Sequence, residues 1–145
     1  MVASVPFLAE ATLDIAAPPA VVFDKLANHD AWAEWMPRSF TPSGRPLGLL
    51  KVGHRPRVRI AGAPVASPIE VSIVERPTQL AWRGALGKWL FAEHRFTFEA
   101  IRDGTRVRSI ETWDGHLASF ARPALRRVAE SVARDLLEAL SRAVR

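Results

Sequence analysis

The stretch that decides the fold is the last one, residues 122–145, which read RPALRRVAESVARDLLEALSRAVR. Apolar side chains recur there at the spacing of one face of an α-helix, and charged side chains occupy the opposite face. Pro123 lies where the first turn begins, a position that tolerates a missing N–H. The apolar stripe consists of Leu125, Val128, Val132, Leu136, Leu140 and Val144. Because this face is too apolar to stand in water, the rest of the chain must cover it.

Length and composition favour a single globular domain. The 145 residues are 48% hydrophobic, and no tract is biased enough to indicate disorder. The chain has no cysteine, which excludes disulfides, thiolate metal sites and thiol catalysis. The net charge of +5 comes from dispersed arginines, most of them with acidic neighbours. This pattern indicates a solvated basic surface, so we expect no nucleic-acid partner.

The N-terminal segment and the apolar runs bear on location. No apolar run reaches the length of about 18 residues that a membrane span requires. Pro6, Glu10 and Asp14 interrupt the region where the apolar part of a secretory signal would lie. We therefore expect a cytoplasmic protein without stable membrane insertion.

The beginning of the chain predicts one strand followed by two short helices. Residues 7–15 alternate between apolar and polar side chains, as a half-buried strand does. A proline-started helix is expected over residues 18–28, and a second short helix over residues 31–36. Trp32 and Trp35 share a face of the second helix. They either lock both helices onto a sheet or line a pocket.

The middle of the chain predicts antiparallel strands separated by turns. Short edge strands are expected over residues 39–42 and 47–52, and further strands over residues 55–61, 68–75 and 80–84. The positions predicted to face inward on the last two strands are Ile69, Val71, Ile73, Leu80 and Trp82.

The clearest pairing in the sequence is a hairpin. Two alternating segments, residues 90–101 and 105–114, are joined at Asp103-Gly104, a strong signal for a two-residue turn. The pairs expected from that turn are Phe98 with Ser109, Phe96 with Glu111 and His94 with Trp113 inside, and Glu99 with Arg108 outside. The opposite charges of the outer pair support this register.

The order of these elements predicts the fold class. A strand, two short helices, a run of antiparallel strands and one long amphipathic helix make an α+β domain, in which a curved antiparallel sheet wraps around the terminal helix. No linker or internal repeat divides the chain. We therefore expect one domain over residues 1–145.

Several segments carry a family resemblance. Residues 13–24 (LDIAAPPAVVFD) look like an opening strand with its proline-started helix, and residues 32–37 (WAEWMP) look like the following entry into the sheet. Residues 80–84, 94–96 and 104–115 look like later strands of the same family. Together they resemble the START-like SRPBCC superfamily, of polyketide cyclase/dehydrase and lipid-transport type. The resemblance implies the helix-grip fold, with a hydrophobic cavity that different members use for transport, sensing or cyclisation.

Two polar side chains, His94 and Glu111, interrupt the apolar inner face of the hairpin. The expected register makes them diagonal neighbours, within direct or one-water reach. A buried carboxyl group must find a donor or stay protonated, and a histidine beside it serves as a general base or as a ligand anchor. We take both as candidate catalytic residues; the alternatives are a ligand-anchoring pair and a satisfied structural pair.

The candidate ligand contacts are apolar residues around this pair. Core packing is the default use of an aromatic stripe, but alanines on the first strand leave room for a void. Two of the candidates, Trp89 and Phe120, lie in segments expected to flank the cavity mouth. The candidate ligand-binding residues are Trp35, Trp82, Trp89, Phe96, Phe98, Trp113, Phe120 and Leu125.

No metal or cofactor site is indicated. The four histidines have no metal-ligand spacing, and there is no phosphate-binding glycine loop, dinucleotide motif or nucleophilic serine elbow. We therefore expect a protein that works without a metal or another cofactor.

Three functions are compatible with these features. The first is a carrier or sensor that binds a small hydrophobic molecule, lipid- or polyketide-like by the family resemblance. The second is a polyketide cyclase, aromatase or dehydratase that uses His94 and Glu111, although the chain has no tyrosine to enrich such a site. The third is an interaction protein that uses either the outer sheet face, where Ile101 and Ile110 point outward, or the terminal helix. The expected state is a monomer or a homodimer.

Overall fold

A computed structural model of the chain describes residues 7–86, 90–114 and 122–145. Its elements, in chain order, are β1 (Phe7–Ile15), α1 (Pro19–Ala27), a 3₁₀ turn (His29–Ala31), α2 (Trp32–Trp35), β2 (Phe40–Ser43), β3 (Arg57–Ile60), β4 (Ser67–Glu75), β5 (Gln79–Leu86), β6 (Leu90–Ile101), β7 (Gly104–Asp114) and α3 (Arg122–Ala143). This order is the predicted one except that the strand expected over residues 47–52 is missing.

The strands form a single seven-stranded antiparallel sheet in the order β1-β7-β6-β5-β4-β3-β2. Strands β2 to β7 lie side by side in chain order, and β1 pairs with β7 at the other edge of the sheet. The sheet curls around α3, with α1 and α2 also in contact with that helix. The α+β helix-grip architecture expected from the sequence is therefore confirmed.

The sheet covers only part of the apolar stripe of helix α3. Leu136 and Leu140 have no exposed surface, and Val132 is 6% exposed. Nearer the start of the helix, Val128 is 46% exposed and Leu125 is half-buried. The first turns of α3 therefore lie over a space that the sheet does not fill.

Trp32 locks the short helices onto the core. Its indole N–H donates to the carbonyl oxygen of Leu26 at 2.8 Å, and the side chain is fully buried. Its ring lies 5.8 Å from that of Phe40 and 5.5 Å from that of Trp82. The packing interpretation of the tryptophan pair therefore applies to Trp32.

The β6–β7 hairpin has the predicted faces but a different register. Ile101 pairs with Gly104, so residues 102–103 form the turn and the predicted register is wrong by two residues. A Cβ at Gly104 would collide with the backbone oxygen of Ile15, so the close approach of β1 places this glycine in the strand. Because side chains repeat every two residues, each one keeps its predicted face. The observed pairs are Phe98 with Val107, Phe96 with Ser109, His94 with Glu111 and Glu99 with Arg106.

The strand expected over residues 47–52 is not formed. Gly48 has a φ of 72°, a left-handed conformation that ends an extended segment. The segment instead packs beside α1, where the N–H of Leu50 donates to the carbonyl oxygen of Ala27 at 2.8 Å.

Strand β4 contains an irregularity that the sequence did not reveal. The register with β5 shifts between Val71 and Ile73, so Ile73 pairs with Ala81 and Val74 pairs with Leu80. Val74 therefore packs against the core, and the predicted inward position of Ile73 is wrong.

Candidate ligand-binding cavity

A cavity of about 240 Å³ lies between the first half of α3 and the sheet. Leu125, Val128, Ala129 and Val132 form its helix side, and residues between 60 and 69 form one flank. Small side chains on β5 and β6 line the sheet side, where bulky ones would fill the space. These small residues are Gly84, Ala85 and Ala92.

One row of side chains that crosses the sheet forms the floor of the cavity. Ala9 of β1, Glu111 of β7, His94 of β6, Trp82 of β5 and Val71 of β4 pair in succession. Directly paired residues share a face of a sheet, so these side chains stand side by side on the inner face. Glu111, His94 and Trp82 reach the cavity. Ala9 is fully buried but small, so it does not crowd Glu111.

His94 is held by one hydrogen bond and two aromatic rings. Its Nε2 atom lies 2.5 Å from the hydroxyl oxygen of Ser109. The imidazole stacks on Phe96 with ring centroids 4.2 Å apart and meets Trp82 edge-on at 5.5 Å. The side chain is 5% exposed, and this burial lowers the pKa of His94 to about 3. At neutral pH the imidazole is therefore uncharged.

Glu111 is also buried and uncharged at neutral pH. It is 9% exposed, and burial raises its pKa to about 8, because an apolar environment disfavours a carboxylate. A hydrogen bond with the Trp113 side chain lowers the pKa of Glu111 but does not outweigh the burial. The side chain is therefore mainly a carboxylic acid near pH 7.

The two polar groups lie side by side without bonding to each other. His94 Nδ1 and Glu111 Oε2 are 4.0 Å apart. This distance is too long for a hydrogen bond. It is short enough for an ion pair, but none forms because burial keeps both groups neutral. The cavity floor thus presents an O–H donor and an imidazole next to each other. Both face inward and lie within one-water reach, as the alternation predicts. They are directly paired, however, and the predicted diagonal arrangement is wrong because the register differs by two residues.

The structure brings together some of the predicted ligand-binding residues. Trp82, Trp113 and Leu125 line the cavity together with His94 and Glu111. These five residues come from β5, β6, β7 and α3, so the cavity joins elements that are far apart in the sequence.

Three predicted ligand-binding residues do not reach the cavity. Phe96 is fully buried beneath His94, and Phe98 packs against Phe23 with ring centroids 5.3 Å apart. Trp35 is half-buried and packs against the core cluster. Their positions suit core packing, because each faces another apolar element of the fold. Trp89 and Phe120 lie outside the described residues.

Two residues of the site had no role in the sequence prediction. Ser109 holds the imidazole of His94 from the diagonal position, which only the corrected register reveals. Phe40 of β2 lines the cavity and stacks on Trp82 with ring centroids 5.7 Å apart. Ser109 could have been found from its polar side chain at a position where alternation predicts an apolar one. Phe40 lies in a strand too short to show alternation.

Two other kinds of site, a metal centre and a membrane-spanning helix, are absent from the described residues. Within residues 7–86, 90–114 and 122–145, no group of three or more His, Asp or Glu side chains could hold a metal ion. In the same ranges, no helix has the length and apolar character needed to cross a membrane.

A curled antiparallel sheet around a long terminal helix, with short helices after its first strand and a cavity between sheet and helix, defines the helix-grip class. Within that class, the chain belongs to the polyketide cyclase/dehydrase and lipid transport family, whose sequence profile matches residues 6–145. The resemblance to the SRPBCC superfamily is therefore confirmed.

Solved structures share the fold at low sequence identity. Protein MLL2253 from Mesorhizobium loti is 20% identical, with a TM-score of 0.73 over 94% of this chain and 95% of that one. TTHA0849 from Thermus thermophilus is 18% identical, with a TM-score of 0.73 over 95% and 97%. Norcoclaurine synthase from Thalictrum flavum, in complex with dopamine and hydroxybenzaldehyde, is 11% identical, with a TM-score of 0.75 over 98% and 88%. No curated protein sequence matches significantly.

Proposed function

We propose that this protein binds a small hydrophobic molecule in the cavity between the sheet and α3, as a carrier or sensor. The observation that carries the proposal is an apolar cavity of about 240 Å³ with one neutral polar pair at its floor. Ligand sites generally combine apolar walls with a few polar groups that orient the ligand. The family description, which includes lipid transport, supports the same class of function.

The cavity volume limits the size of the ligand. Its 240 Å³ lies below the range of about 300–1,000 Å³ that is usual for ligand pockets. A dry apolar cavity of about 150 Å³ holds benzene. A molecule with one or two rings, or a short chain, fits this volume, whereas a long-chain lipid would have to extend through the mouth. Norcoclaurine synthase, which shares the fold, has been crystallised with two single-ring aromatic compounds.

A cavity-filling substitution tests the proposal. Ala129 lines the cavity and is 3% exposed, so Ala129→Leu places extra carbon atoms in the ligand space. Ala124→Leu, on the exposed side of the same helix, is the matched control. An environment-sensitive apolar dye, titrated with each protein, should bind the wild type and Ala124→Leu with equal affinity and Ala129→Leu at least tenfold more weakly. Absence of dye binding to the wild type, or equal binding to all three proteins, contradicts the proposal.

A second candidate function is cyclisation or dehydration of a polyketide-like substrate. The neutral acid and imidazole at the cavity floor favour it, because one group can donate a proton to an oxygen while the other accepts one from carbon. The low pKa of His94, about 3, makes the imidazole a weak base at neutral pH. Binding is therefore the function that the geometry supports better.

Loss of the imidazole separates these two functions. Once a substrate is identified by turnover, His94→Ala should abolish product formation while leaving substrate bound. Full activity of that variant would rule out the assigned mechanism. If the wild type binds such molecules but converts none of them, the carrier or sensor function is supported and the enzymatic one is ruled out.

A further inference from the structure

We infer that the cavity floor is a binding site for a single hydroxyl group, and that the ligand is an uncharged one- or two-ring phenol or enol. This inference rests on the proposed function and adds the ligand's chemical class. It is carried by the gap between His94 and Glu111, by the hydrogen bond that Ser109 makes, and by the residues that line the cavity.

The gap between His94 and Glu111 is the right width for one oxygen atom to form a hydrogen bond with both residues. An oxygen atom at about 2.8 Å from both His94 Nδ1 and Glu111 Oε2, the usual hydrogen-bond length, spans their 4.0 Å separation. Such an atom would lie about 2 Å above the line that joins them, on the cavity side, by the geometry of that triangle. Both residues line the cavity, so a ligand oxygen has access to this position.

The hydrogen-bonding character of the two residues selects the ligand group. When His94 Nε2–H donates to the Ser109 hydroxyl oxygen, Nδ1 is left with a lone pair that no described residue uses. Glu111, protonated by burial, offers an O–H. A hydroxyl group donates to the first and accepts from the second at the same time. A ketone only accepts, so it would leave Nδ1 unpaired.

The lining residues select an uncharged ligand. No lysine or arginine is among the described residues that line the cavity, so a carboxylate there would have no counter-charge. Trp82, Trp113 and Phe40 supply flat apolar walls, which suit an aromatic ring better than a branched chain. The volume of 240 Å³ accommodates a two-ring molecule such as naphthol.

Three probes of one shape test the inference. Naphthalene, 2-naphthol and 2-naphthoate share the same ring system and differ in the absence of a polar group, a hydroxyl group or a charge. Each is titrated at pH 6 against the full chain, by calorimetry or by displacement of an apolar dye. 2-Naphthol should bind roughly tenfold more tightly than naphthalene, about 1.4 kcal/mol, and 2-naphthoate more weakly than 2-naphthol. Equal affinities for naphthalene and 2-naphthol, or a preference for 2-naphthoate, overturn the hydroxyl site.

Variants assign the preference to the polar pair. Glu111→Leu should lower the ratio of 2-naphthol to naphthalene affinity severalfold, because the donor to the ligand oxygen is lost and only His94 Nδ1 remains as a partner. Glu111→Gln keeps a donor of the same shape and should retain part of the ratio. Glu99→Leu, an exposed glutamate on the outer face of the same hairpin, is the matched control and should keep the full ratio. Thermal unfolding of each variant verifies that it is folded.

The outcomes separate this inference from the proposed function. If none of the three probes binds, the proposed function fails. If naphthalene and 2-naphthol bind alike, the cavity binds ligands but the hydroxyl site is wrong. If Glu111→Gln and Glu111→Leu both keep the full preference for 2-naphthol, the hydroxyl site lies elsewhere and the inference is overturned.

Discussion

The two ends of helix α3 meet the same sheet in different ways. At the packed end, Leu136, Leu137 and Leu140 are at most 1% exposed and belong to one buried cluster with Phe23 and Phe98. Large side chains from three elements interlock there and leave little free volume. This end has the character of an ordinary hydrophobic core.

At the open end, the helix contributes shorter or half-exposed side chains, chiefly Val128 and Ala129, and the sheet contributes polar ones. His94 and Glu111 replace two apolar positions of the inner face, and Gly84 leaves the sheet side unfilled. A cavity of about 240 Å³ remains between them.

The difference lies in side-chain size and polarity, because one helix and one sheet form both ends. Buried neutral polar groups and unfilled volume both reduce stability, and proteins tolerate such features where they serve function. Tight packing at the packed end compensates for the stability that is lost at the open end. Four substitutions or pairs of substitutions test this difference, and the expected effects differ in size.

The largest effect is expected from truncation at the packed end. Leu140→Ala removes a fully buried side chain and should lower the free energy of unfolding by about 2–5 kcal/mol. Val128→Ala, at the open end, removes a side chain that is 46% exposed and should change it by less than about 1 kcal/mol. Urea denaturation of both variants measures the two values. Similar losses would mean that the two ends are packed alike.

The sequence predicts the packed end better than the open end. The stripe of α3 and the alternation on β6 and β7 identify buried faces, since burial follows periodicity directly. The hairpin register was not predictable, because it depends on the approach of Ile15 to Gly104, two residues far apart in the chain. The shift in β4 at Ile73 is likewise set by pairing with β5 and not by a local signal.

The next effect is a pH dependence that the open end imposes. The folded state keeps the proton of Glu111 up to a pKa of about 8, whereas the unfolded chain loses it near 4.5, so this group destabilises the fold as pH rises. His94 acts in the opposite direction: the unfolded chain takes up a proton below 6.5 and the folded state does so only near 3. The two contributions cancel between pH 4.5 and 6.5, where their sum is flat.

Above that plateau only Glu111 contributes, and Glu111→Gln isolates it. Between pH 6.5 and 8 the wild type should lose about 2 kcal/mol of unfolding free energy relative to Glu111→Gln, because the glutamine cannot ionise. Urea denaturation at both pH values measures the difference. Glu99→Gln, an exposed site on the same hairpin, should follow the wild type. A parallel pH profile for wild type and Glu111→Gln would show that Glu111 is ionised in the folded protein.

A smaller effect is expected at the bond that orients the imidazole. Ser109→Ala removes the partner of His94 Nε2 and leaves a buried polar atom unpaired, which should cost about 1–2 kcal/mol of unfolding free energy. Nitrogen chemical shifts of the histidine ring should report the Nε2–H tautomer in the wild type and a mixture of tautomers in Ser109→Ala. Ser131→Ala, on the exposed side of α3, should change neither measurement. An unchanged tautomer in Ser109→Ala would show that Ser109 does not orient the ring.

The sequence located the polar pair of the candidate site but not its surroundings. His94 and Glu111 are visible as polar residues at positions where alternation requires apolar ones. The 4.0 Å separation, the bond to Ser109 and the contribution of Phe40 follow from register and tertiary packing. The cavity volume is a small difference between large packed volumes, so no local pattern predicts it.

The smallest single effect is expected at Ala129, and the same substitution made there and at Ala133 distinguishes the two ends most directly. Ala129 and Ala133 are 3% and 0% exposed and lie about one helical turn apart. Ala129 lines the cavity, so Ala129→Leu fills free volume and should raise the free energy of unfolding by about 0.5–1 kcal/mol in the absence of ligand. Ala133 is not among the residues that line the cavity, so Ala133→Leu overpacks its surroundings and should lower it by about 1–3 kcal/mol.

Urea denaturation of the two variants, with the slope of the transition unchanged, measures the sign of each effect. Because burial, residue type and helix are matched, the opposite signs can come only from the presence or absence of space opposite the helix. If both variants are destabilised alike, the open end has no usable cavity in solution. If both are stabilised, the free volume extends along α3 past Ala133, and the boundary between the two ends lies nearer to Leu136.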